Sequence, residues 1–89
     1  MYILGMLKIT DLPFKTIEDA TKYFGPLLRM SRESNSISFL VKVGNRTSLG
    51  AAAVVAEGTP DSILEQEALA NLNEQLALRI EYKNDVCGA

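Results

Sequence analysis

Six side chains in this chain have the types and spacing to hold an anion. Lys42, Arg46, Thr47 and Ser48 fall within one short stretch, "LVKVGNRTSLG", and Arg29 and Arg32 lie upstream of it. A guanidinium offers a planar fork of N–H donors, an ammonium adds a point charge, and hydroxyls donate single hydrogen bonds. Together they suit a phosphate or a carboxylate. Gly44 and Gly50 carry no Cβ and leave the backbone open to a ligand. The stretch is not a P-loop: Gly-x4-Gly-Lys-Ser/Thr is missing, and Gly50 precedes alanines instead of opening a helix. It does not match a dinucleotide fingerprint either.

The glycines and alanines around it have two other readings. Residues 44–60 hold three glycines and four alanines. Small side chains let a helix lie close on a sheet, and they equally let a second subunit approach. Ala51 and Ala53 are the candidate interface positions under that last reading.

Catalytic chemistry is sparse. The chain has no histidine and a single cysteine, Cys87. That leaves no imidazole acid or base, no His-based triad and too few soft ligands for a closed zinc site. Asp61, Glu65, Glu67 and Glu74 are strung along a helical pattern and read as a solvated face. No catalytic residue, cofactor or metal site is assigned, and the chain is read as a non-enzyme.

Charge is divided along the sequence. Residues 1–46 carry seven Lys/Arg and four Asp/Glu, a balance of +3; residues 47–89 carry two and seven, a balance of −5; the sum is the net −2. An acidic total argues against general nucleic-acid binding. The longest apolar run, residues 49–56, is too short to span a bilayer, and "MYILGMLKI" lacks the flanks of a signal peptide. The expectation is a cytoplasmic protein without a membrane segment.

The elements that must position these groups follow from periodicity. Residues 2–9 read as a strand apolar on both sides. Thr16 reads as an N-cap, followed by Ile17, Ala20 and Phe24 at helical spacing until Gly25-Pro26 stops the helix, with Leu27 and Leu28 turned to the core. "SRESNS" reads as a loop. Residues 36–43 alternate cleanly, and Gly44-Asn45 is a hairpin turn that returns the chain as a strand over 46–57. Thr59-Pro60-Asp61 opens a helix, with Ser62 and Glu65 placed for a capping box.

That helix is expected to run from Pro60 to about Tyr82, carrying the stripe Leu64, Ala68, Leu69, Leu72, Leu76 and Ile80. A last strand over 78–83, giving a split βαβ ferredoxin-like order, is the alternative. The fold expected is a single α+β domain in β-α-β-β-α order, a small antiparallel sheet packed on two helices.

A chain of 89 residues buries a marginal core and needs a staple. Disulfide and zinc being set aside, a partner chain remains, so a homodimer or larger assembly is expected. Leu69, Leu72, Leu76 and Ile80 are its candidate interface. The leading expectation is a small interaction or regulatory protein that binds or inhibits another macromolecule, a description that fits accessory proteins of viral or plasmid type. The alternative is a binder of a nucleotide or other phosphate compound through the 42–50 hairpin.

Overall fold

The structure, a computed structural model, describes residues 12–43 and 46–86, with side chains as far as Arg79. Within that range the order is helix α1 (Ile17–Phe24), strands β1 (Leu28–Arg32), β2 (Ser36–Lys42) and β3 (Ser48–Val54), and helix α2 (Asp61–Val86). The three strands form one antiparallel sheet in the order β1-β2-β3. The chain is α+β. The strand expected over residues 2–9 lies outside the described residues, as do the turn residues Gly44 and Asn45.

Local chemistry accounts for the boundaries of α1. Thr16 has extended backbone angles and its hydroxyl accepts a hydrogen bond from the Asp19 N–H at 3.0 Å. Glu18 and Asp19 complement the positive helix end. Gly25 closes the helix at φ 57°, where a side chain would be strained. Pro26 then sits in a single 3-10 turn, Gly25–Leu27.

The chain next forms β1 where a loop was expected. All five residues of "LRMSR" pair with β2, from Leu28 opposite Val41 to Arg32 opposite Ile37. Asn35 secures the following turn at the sheet's end. Its side-chain amide donates to the Val55 carbonyl at 3.0 Å, and its own carbonyl accepts from the Val55 N–H at 2.9 Å.

The β2–β3 hairpin is as the alternation predicts. Ile37, Phe39 and Val41 point inward and pair with Ala53, Ala51 and Leu49; Ser36, Ser38, Leu40 and Lys42 point outward. The Val43 N–H donates to the Thr47 carbonyl at 3.0 Å and continues the ladder towards the turn.

Helix α2 is a single helix of 26 residues, so the region 78–83 is helical and not a strand. At ~1.5 Å per residue it is about 39 Å long. The strands, at ~3.3 Å per residue, reach about 23 Å. The helix therefore sets the long dimension of the molecule, 46 Å against 21 and 19 Å.

Its start departs from expectation: the helix begins at Asp61, not Pro60, and the Thr59 hydroxyl does not cap it. The Thr59 hydroxyl donates to the Ala56 carbonyl at 2.6 Å, and the Pro60 carbonyl accepts from the Ile63 and Leu64 N–H groups. Glu65 makes no capping box; it is drawn to Arg32.

The core lies between α2 and the inner face of the sheet. Leu64, Ala68, Leu72 and Leu76, one every four residues, are buried against Ile37, Phe39, Val41, Leu49 and Ala51. Ala20 and Phe24 of α1 and the ring of Phe14 belong to the same cluster. Asn73 interrupts the apolar stripe for a reason: its amide pairs with both backbone groups of Phe14, accepting from the N–H at 2.8 Å and donating to the carbonyl at 3.0 Å.

Candidate functional site

Strand pairing decides which of the sequence's candidate groups meet. Arg29 lies opposite Leu40, and Lys42 lies opposite Ser48. Leu40 and Lys42 are two residues apart on the outer face of β2, so Arg29 and Lys42 are diagonal neighbours. Diagonal Cα atoms in a ladder are ~7–8 Å apart, within reach of two long side chains. Both cations, with Ser48, line a hollow of about 360 Å³ whose remaining walls are Pro26, Leu27 and Leu40. Among the described residues, neither Arg29 nor Lys42 forms an ion pair or a side-chain hydrogen bond.

The other anion candidates go elsewhere. Arg32 pairs with Ile37 and so faces inward, towards α2. Its guanidinium contacts Glu65 at 3.1 Å and Asp61 at 3.6 Å. Arg32 is thereby neutralised and withdrawn from the basic patch. Arg46 and Thr47 are exposed near the hairpin end, outside the lining of the hollow. Of the six groups, three converge.

The candidate interface residues need a larger correction. Leu72 and Leu76 are fully buried within one copy, and Ala51 is 7% exposed beneath α2. A side chain already enclosed has no surface left for a second subunit. Leu69 and Ala53 are half-buried and packed on the same core. The side chain of Ile80 lies outside the described residues. The described part of the helical stripe is the internal core of the chain, because α2 lies along β3 and β2.

What the helix leaves uncovered is the β1 side of the sheet. Met30 and Phe39 are direct partners on the same inner face. Phe39 is 3% exposed and Met30 is 48% exposed. Every residue of β1 after Leu28 is exposed, and the outer edge of the strand has no hydrogen-bonded neighbour among the described residues. The outer face is open as well, with Leu40 half-exposed and Val54 more so.

Sequence reasoning missed Met30, Leu27 and Leu40 as surface features. The one available signal was "LRMSR" itself, a run without either periodicity, which an unburied edge strand produces.

Among the described residues, no group of three His, Cys, Asp or Glu side chains gathers in the way a metal site requires. No described helix is long and apolar enough to cross a membrane. Set against protein-family models, curated proteins and solved structures, the chain matches none.

Proposed function

We propose that the protein is a small non-enzymatic interaction protein, a homodimer joined along β1, whose open outer sheet face binds or inhibits another macromolecule. The observation that carries this reading is Met30, half-exposed beside its buried partner Phe39. An edge strand with an apolar side chain on its uncovered flank is a surface that another chain completes.

A second copy fits that edge in sequence terms. Antiparallel pairing of two β1 strands centred on Met30 sets Met30 against Met30, Arg29 against Ser31, and Leu28 against Arg32. No two cations lie directly opposite, which avoids the like-charge penalty of a ladder. The two methionines then cover each other between the two α2 helices. The outer faces of the joined sheets stay free for the macromolecular partner.

Sedimentation velocity of the wild type and of Met30→Glu tests the assembly. The wild type is expected to associate in the micromolar range, and Met30→Glu to sediment as a folded monomer, since it brings two carboxylates together at the symmetry axis. A wild type that stays a folded monomer throughout that range, or a Met30→Glu variant that dimerises equally well, overturns the β1 assembly.

A further inference from the structure

We infer that the hollow formed by Pro26, Leu27, Arg29, Leu40, Lys42 and Ser48 is a binding site for a phosphate monoester carried on a small apolar body. This goes beyond the docking reading and does not rest on the homodimer: the edge that pairs two copies is the flank of β1, whereas the hollow takes up the Arg29–Lys42 corner of the outer face, the face on which the macromolecular partner is proposed to dock.

The first ground is the placement of charge. On the outer face of the three strands, Arg29 and Lys42 are the only charged side chains; the rest are Ser31, Ser36, Ser38, Leu40, Ser48, Gly50, Ala52 and Val54. Two like charges held as diagonal neighbours repel each other, and no acidic residue of this face offsets them. Among the described cations, Lys22 lies 3.4 Å from Glu18 and Arg32 meets two carboxylates, whereas Arg29 and Lys42 share one sheet face with no carboxylate on it. A dianion set between Arg29 and Lys42 relieves that repulsion. It uses the Arg29 fork, the Lys42 ammonium and the Ser48 hydroxyl as donors, the combination that suits phosphate oxygens.

The second ground is the rest of the wall. Leu27 and Leu40 are 37% and 50% exposed, and they stand beside the cations with Pro26. An inorganic anion would leave that apolar surface wet. A ligand with an apolar group next to its phosphate covers it. At about 360 Å³ the hollow lies at the small end of ligand sites, so the body is a single ring or a short chain.

Nuclear magnetic resonance titration of the full chain with phenyl phosphate tests this, with inorganic phosphate, phenylacetate and benzyl alcohol as comparison probes. Phenyl phosphate is expected to shift the amides of Leu27, Arg29, Leu40 and Ser48 saturably, with a Kd on the order of 1 mM. It should bind more tightly than either inorganic phosphate or phenylacetate, and benzyl alcohol should not bind. Arg29→Gln and Lys42→Gln should each weaken it roughly tenfold, and raised salt should weaken it further. Arg46→Gln should leave it unchanged. The site is overturned if phenyl phosphate gives no saturable shifts at these amides, or if benzyl alcohol binds as well. It is also overturned if Arg46→Gln weakens binding as much as Arg29→Gln, because the hairpin end would then be the anion site.

Discussion

β3 and β1 flank the same central strand, yet one is roofed by a helix and the other is bare among the described residues. On the β3 side, Leu49 and Ala51 are buried under α2; on the β1 side, Met30 is half-exposed and the three residues around it are exposed. The difference traces to side-chain size and length of cover. Alanines at 51 and 53 let the helix settle close on β3, and a cylinder ~10 Å across cannot also shelter the far strand. The small residues of this stretch thus divide by face. Those at 51 and 53 face inward and seat the helix. Those at 50 and 52 face outward, where no packing among the described residues calls for smallness.

The widest gap is expected between Phe39 and Met30. Phe39→Ala should destabilise the fold by about 3–5 kcal/mol, by loss of burial and an unfilled cavity. Met30→Ala should cost less than ~1 kcal/mol at dilutions where copies are apart, since half of its surface is already in water. Urea denaturation of both variants measures the two numbers. Comparable losses would mean that β1 is covered as well as β3, and the contrast would be gone.

A sharper test uses two adjacent residues. Ala51→Leu pushes extra methylenes between β3 and α2 and should cost about 1–3 kcal/mol. Ala52→Leu, one position along and on the opposite face, should stay within about 0.5 kcal/mol of the wild type. Thermal melts of the pair report this directly. An equal penalty at both positions would place something on the outer face that the described residues do not show.

This contrast also marks what was legible beforehand. The hairpin of β2 and β3 was readable because one face of each strand is buried, so Ile37, Phe39 and Val41 alternate with polar neighbours, and Gly44-Asn45 punctuates the turn. The cap at Thr16 and the long uninterrupted α2 were readable for the same kind of reason: local chemistry with a buried stripe. β1 was not, because a strand exposed on both faces leaves no pattern in its residue types.

Losing β1 had consequences for the site. Arg29 and Lys42 become neighbours only through the register of β1 on β2, and Arg32 leaves the basic patch only because that register turns it inward. The interface assignment of Leu72, Leu76 and Ala51 differs for another reason. Leu72 and Leu76 were rightly read as one apolar stripe, but composition cannot say whether a stripe is covered by its own sheet or by another copy.

The smallest effect concerns the polar tie that Arg32 makes, among the described residues, between β1 and α2. Among the described ion pairs, those joining β1 to α2 run through Arg32, to Glu65 and Asp61. Arg32 is 37% exposed and its partners 42% and 75%, so water screens both contacts. Arg32→Ala should therefore cost at most about 1 kcal/mol, and less at high salt. Arg32→Lys, which keeps the charge but loses the fork, should fall between the two. Glu65→Gln should cost less than Arg32→Ala, since it leaves the Asp61 contact and an amide oxygen that still accepts from the guanidinium. If Arg32→Ala instead costs several kcal/mol, as for a desolvated pair stripped of one partner, then α2 grips β1 through a dry contact. The strand would then be anchored from within at its Arg32 end, while Met30 and the outer edge would remain open.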